Sequence, residues 1–295
     1  MSVVVGYLPH KGGRGSLDLG LQLAHALDEP MVVVTVVPRQ WSTPSMARVD
    51  AEYADYAVQV GQEAERQARA YLTDTTVKVD ISYRSVTGRS TASALVDAVG
   101  ELGATVLVLG SSTDGQVGRV VVGSTADKLL HAAPVPLAIS PREFRSTASD
   151  GVTKVTAAFS DSDSSAAVVG RVRTLTEQFG VRLRVASFGV RGATMYPPVS
   201  GITAEDSVLD SWADQAEAAQ QALVADGVIG ADTERVIATG ATWSDTMASI
   251  PWEPGEVLAL GSSSMGPLAR VFLGSRATKL IRHAPVPVIV LPTGG

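Results

Sequence analysis

Two stretches of this chain carry glycines and small hydroxyl residues and end in a Gly-Ser pair that could open a helix toward an anion. Gly110-Ser-Ser-Thr113 is followed after nine residues by Gly123-Ser124, and Gly261-Ser-Ser-Ser264 is followed after nine residues by Gly274-Ser275. A Gly-Ser pair that opens a helix offers free backbone N–H groups and the positive end of the helix dipole, which attract phosphate. The same serine is a good N-cap on its own, and Asp127 has the capping-box spacing from Ser124. Capping alone, or capping together with a phosphate contact, are the two readings of Ser124 and Ser275. Gly110 and Gly261, directly after Leu109 and Leu260, would let the backbone leave a strand in a turn that other residues resist.

A second anion-leaning segment is Pro9-His-Lys-Gly-Gly-Arg-Gly15. Strand, glycine-rich turn, then helix is a phosphate-cradling layout, with Lys11 and Arg14 adding positive charge. It lacks the Walker spacing, and a surface loop with incidental basic residues is the other reading. Elsewhere the chemistry thins out. His10, His25, His131 and His283 show no metal-ligand spacing, and neither a nucleophile elbow nor a close carboxylate pair appears. Asp161-Ser-Asp163 begins like a calcium loop but lacks the later Gly and Glu, so it reads as a helix cap. Arg119 and Arg270 occupy matched positions, as do Lys128 and Lys279, with solvated helix faces as their expected home.

The elements that position these residues come in two sets. Residues 110–140 and 261–291 align without a gap, with about half the positions identical. Such self-similarity marks a duplication. In the first copy, strands are expected at Val3–Leu8, Met31–Val37, Val77–Ser82, Ala104–Leu109 and Val135–Ser140, and helices at Leu17–Leu27, Val49–Leu72, Ser90–Leu102 and Ser124–Ala133. The second copy repeats the order, from Val155–Phe159 to Val286–Leu291. The domains are expected at 1–141 and 154–295, with a polar linker at 142–153. Strand alternating with helix predicts parallel strands with right-handed crossovers, hence two tandem doubly wound, mainly parallel five-stranded sheets of the Rossmann-like α/β class. Ligands of such sheets sit outside the carboxyl ends of the strands, where strand order reverses. That brings Pro9–Gly15 together with Gly110–Gly123, and Ser160–Ser164 together with Gly261–Gly274.

Bulk properties narrow the function classes. The chain has 295 residues, 45% hydrophobic and 18% charged, with a net charge of −6 and no cysteine. That suits two globular cores, argues against general nucleic-acid binding, and removes thiolate chemistry and disulfides. Met1–Leu8 reads as a strand, not a signal peptide, and no window reaches the length of a membrane span. A cytoplasmic protein with no membrane partner is expected.

With these residues in view, each half resembles the universal stress protein domain. Members of that family that bind ATP carry glycine, two residues, glycine, nine residues, then Gly-Ser or Gly-Thr, followed by a short helix and a Pro-Val strand. Here Pro134-Val135 and Pro285-Val286 complete the arrangement, but Thr113 and Ser264 replace the second glycine. The resemblance implies an adenine nucleotide alpha-hydrolase-like fold, with the last strands of the two halves paired edge to edge as an intrachain pseudo-dimer, and homodimers of whole chains by analogy. It implies ATP or a related adenine nucleotide, with Mg²⁺ accompanying ATP, held at Leu109, Gly110, Thr113, Gly123, Ser124 and Thr125 in one half. In the other half the implied residues are Leu260, Gly261, Ser264, Gly274, Ser275 and Arg276. The acid that the family places after the first strand falls on Leu8 in the first half, and on Ser160 or Asp161 in the second. A stress protein that binds nucleotide without efficient turnover is one reading, favoured in the second half. A partner-binding module of the same fold that binds no nucleotide is the other, and an ATP hydrolase lacks a nameable base.

Overall fold

Runs such as Val3-Val4-Val5, Met31–Val37 and Leu107–Leu109 have no polar face, so they are stable only where helices cover both sides of a sheet. That is where they lie. In the computed structural model, which describes residues 1–9, 11, 13–37, 47–73, 75, 77–146, 151–191, 204–264, 271–272 and 274–292, the first half runs β1 (Ser2–Gly6), α1 (Gly15–Leu27), β2 (Met31–Val37), α2 (Ala47–Leu72), β3 (Ile81–Thr87), α3 (Thr91–Glu101), β4 (Ala104–Gly110), α4 (Ser124–Leu130) and β5 (Leu137–Ser140). The second half runs β6 (Lys154–Ala158), α5 (Asp163–Phe179), β7 (Arg182–Val190), α6 (Ala204–Ala225), β8 (Glu234–Gly240), α7 (Trp243–Ala248), β9 (Glu256–Gly261), a small antiparallel hairpin of β10 (Ser263–Ser264) and β11 (Val271–Phe272), α8 (Ser275–His283) and β12 (Val288–Leu291).

The two sets of five strands form one ten-stranded sheet, ordered β3-β2-β1-β4-β5-β12-β9-β6-β7-β8. Every neighbouring pair is parallel except β5 and β12, which meet antiparallel with Val288 opposite Ile139 and Ile289 opposite Ala138. Apolar edges left bare would invite aggregation, and this pairing covers both at once. On one face, α3, α4, α7 and α8 close over a single core that crosses the junction through Leu107, Ile139, Leu258 and Val288. On the other face the core divides, with α1 and α2 covering the first half and α5 and α6 the second.

Two expectations about strands need correction. The third strand begins at Ile81, not Val77, because its ladder starts where β2 starts: Met31 pairs with Ile81. Val77 and Val79 lead into it, packed against the core beneath α2. The first strand ends at Gly6, and Leu8 instead forms an isolated antiparallel bridge with Lys11.

The halves differ at the amino ends of their strands. Where the first half aligns Val4, Val32 and Ser82 across β1, β2 and β3, the second aligns Thr156, Arg184 and Glu234. Arg184 is buried and pairs with Glu256 at 2.9 Å and Glu234 at 2.7 Å; the buried Lys154 pairs with Glu234 at 3.0 Å and also with Glu253. Thr156 donates to the same Glu256 carboxylate, so these buried charges are paired and hydrogen-bonded.

Candidate functional site

Each half opens a cleft at the carboxyl ends of its strands, where the chain passes from one face of the sheet to the other. The first, about 380 Å³, is lined by Leu109, Gly110, Thr113, Gly123, Ser124 and Thr125, with Tyr7, Leu8 and Lys11 on its rim. The second, about 480 Å³, is lined by Ser160, Asp161, Leu260, Gly261, Gly274 and Arg276. The residues that the resemblance implies thus line the two clefts, except Ser264 and Ser275. Ser275 begins α8 beside the second cleft, and Ser264 belongs to β10, paired with Val271. Arg270, His10 and Gly12 lie outside the described residues.

The serines of the Gly-Ser pairs do not cap their helices. Gly123 and Gly274 occupy the N-cap positions in extended geometry, with no side-chain cap hydrogen bond, and Ser124 and Ser275 are the first residues inside the helices. The capping box between Ser124 and Asp127 is therefore not formed; the Asp127 N–H bonds the Gly123 carbonyl instead. A glycine cap leaves the first-turn N–H groups without a side-chain acceptor, at helix starts that line the clefts. Gly110 and Gly261 also act differently from expectation, since neither has a left-handed φ. A Cβ on Gly261 would stand 2.6 Å from Val168 Cγ2, so that glycine lets α5 approach the strand end.

The first serine of each motif is structural. Ser111 Oγ donates to the Ser140 carbonyl at 2.6 Å, and Ser262 Oγ donates to the Leu291 carbonyl at 3.1 Å, tying each loop to the last strand of its half. Both serines are buried. The first-half loop is also tied across the molecule, because Arg119 donates to the carbonyl of His283 at the end of α8, 2.6 Å away. Lys279 lies over the Trp243 ring, its Nζ 5.7 Å from the centroid.

Entry to α5 shapes the other side of the second cleft. Ser162 is the N-cap, its hydroxyl accepting the Ser165 N–H at 3.3 Å, and Ser165 Oγ accepts the Ser160 N–H at 3.0 Å. Asp161 stays exposed at the rim, and within Asp161-Ser-Asp163 it is Ser162 that supplies the expected helix cap. In the first half the basic loop is split. Lys11 lines the cleft, whereas Arg14 turns back over the Tyr71 ring, 4.9 Å from its centroid. Burial raises the Tyr7 phenol above its usual range, so that cleft keeps a neutral hydroxyl at its base.

Sequence reasoning missed the aromatic wall of the second cleft: Phe159, Phe188, Trp212 and Trp243 all line it. They come from four elements or their ends, and no local spacing links them.

Two doubly wound units fused through their edge strands, each with a glycine-loop cleft at the switch point, define a tandem α/β protein. The chain belongs to the Universal stress protein family, whose sequence pattern matches residues 1–141 and 151–292. It is similar to a universal stress protein of Mycobacterium tuberculosis, 44% identical over 292 residues that cover 99% of this chain and 100% of the relative. A universal stress protein of Mycolicibacterium smegmatis is 30% identical over 143 residues, covering 48% of this chain and 99% of its own length. Among solved structures, a universal stress protein from Archaeoglobus fulgidus superposes with a TM-score of 0.62 at 17% identity, covering 99% of this chain and 98% of its own, which shows the shared fold. Among the described residues no helix is long and apolar enough to cross a membrane.

Proposed function

We propose that the chain is a stress-response protein that binds ATP or a related adenine nucleotide, without efficient turnover, and that the second-half cleft is its principal site. One observation carries this reading: the glycine-capped start of α8, with Arg276 in its first turn, opens onto the same cleft as Asp161. Free N–H groups and the helix dipole favour phosphate there, and a guanidinium pairs with phosphate oxygens through two parallel hydrogen bonds. Asp161, which lines the same cleft, would accept from sugar hydroxyls. The cleft volume of about 480 Å³ falls in the range of small-ligand sites, roughly 300–1,000 Å³. Among the described residues no three His, Asp or Glu side chains gather as a metal site, so Mg²⁺ would arrive on the phosphates of ATP and not on a protein cage.

The first cleft has Leu8 in place of an acid and Thr125 in place of Arg276, and is the weaker site in this reading. The test is the nucleotide carried by purified protein, read from the ultraviolet absorbance ratio and by mass spectrometry of the released ligand. Adenine nucleotide released on denaturation is the expected result. Protein that carries none, and takes none up when incubated with ATP, transfers the function to partner binding on the same fold.

A further inference from the structure

Among the described residues, the second cleft holds a pair of indoles and the first cleft holds none. Trp212 stands on α6 and Trp243 at the start of α7, and these helices cover opposite faces of the sheet. Both side chains are half-buried, and both line the cleft above the end of β7, together with Phe188 and Ser187.

The seat of Trp212 is built for it. A Cβ on Gly189 would lie 2.3 Å from the Trp212 ring, so the indole rests directly on strand backbone. In the first half, strand register puts Val37 in the place of Gly189, and the covering helix α2 brings Gly61 there, where a Cβ would stand 2.5 Å from Ser85 Oγ and 3.4 Å from Val37 Cγ1. At this register position the second half has glycine on the strand and a ring from the helix above it, at the mouth of the cleft. A large ring held on backbone and left half-exposed is pre-organised and has little rotamer freedom left to lose when a ligand arrives.

We infer that Trp212 and Trp243 form a stacking slot for the planar base of a nucleotide, so that the second cleft recognises its ligand through the face of the base. Stacking of this kind is tolerant of base identity, because every base has a π-face. This rests on the nucleotide reading above and adds which end of the ligand each wall holds: the indoles take the base, and the α8 start with Arg276 takes the phosphates. Lys279, beside the Trp243 ring, makes that ring an already polarised surface.

The test uses the full-length chain, titrated calorimetrically with ATP and, separately, with inorganic tripolyphosphate, which has the charge but no base. Trp212→Leu and Trp243→Leu are each expected to weaken ATP binding at least about fivefold, the lower end of base-stacking effects, and to leave tripolyphosphate binding unchanged. Trp212→Phe keeps a ring and should retain most of the affinity. In the unsubstituted chain, ATP should quench indole emission and tripolyphosphate should not, a readout that holds even if a variant fails to fold. ATP binding with normal affinity in both leucine variants and without quenching overturns the slot while leaving the nucleotide reading intact. Absence of ATP binding by the unsubstituted chain overturns both.

Discussion

Ser275 and Ser124 sit one residue inside helices whose caps are glycines, which separates their effect on stability from any effect on ligand. A capping serine replaced by alanine costs about 1 kcal/mol, but a first-turn serine without a cap bond has no such cost. Ser275→Ala is therefore expected to leave the thermal midpoint nearly unchanged while lowering nucleotide affinity; a clear loss of stability with unchanged affinity would count against the glycine cap. Charge at the far end of the sheet behaves differently. Arg184→Ala removes a cation from the fully buried Glu256 and should destabilise the fold by about 3–5 kcal/mol in denaturant titrations, because an unpaired buried charge is left behind. Nearby, hydrogen bonds from Lys154 and Arg182 hold the Glu253 carboxyl down at about 2, against 4.5 for the free group. The folded form is then harder to protonate than the unfolded one, so this stability is complete above about pH 4.5 and is lost as pH falls toward 2. Glu253→Gln should flatten the drop in denaturant midpoint between about pH 6 and about pH 3. An unchanged drop would show that the ion pairs at Glu253 do not contribute.

The elements are largely legible in the sequence, and the exceptions have physical causes. Alternating strand and helix patterns, the duplicated glycine loops and the place of the clefts all follow from local composition and one topological rule. The start of β3 did not, because Val77 and Val79 have strand character but no ladder partner until Met31 reaches Ile81. Propensity favours serine at the caps, whereas the loop geometry puts glycine there. Lys154, Arg184, Glu234 and Glu256 look like solvated charges one at a time, and only strand register collects them. Trp212 and Gly189 were invisible for the same reason, being on separate elements that meet only once α6 packs on β7. Their fit gives a prediction at this scale. Gly189→Val would drive methyl groups into the indole, so it should destabilise the fold by about 1–3 kcal/mol and change tryptophan emission. Emission and stability like those of the unsubstituted chain would refute the close seat of Trp212.

At the scale of the whole molecule, the two halves share a core and not merely a boundary. Leu107 and Ile139 from one half pack in the same cluster as Leu258 and Val288 from the other, and Arg119 ties the first-half loop to the end of α8. The chain should therefore unfold as one unit. Three of its four tryptophans, Trp212, Trp243 and Trp252, lie in the second half, so fluorescence follows that half while far-ultraviolet dichroism follows both. Coincident urea transitions by the two probes are expected, and separated ones would mean the halves are independent. The shared frame sets two related clefts side by side with unlike linings, one offering Leu8 and Lys11, the other Asp161, Arg276 and two indoles. Calorimetric titration of the intact chain with ATP, run in parallel on Arg276→Glu and on Lys11→Glu, tests this division of labour most directly. The intact chain and Lys11→Glu should bind ATP alike, and Arg276→Glu should lose most of the heat. Loss confined to Lys11→Glu, or no binding by the intact chain, would contradict it.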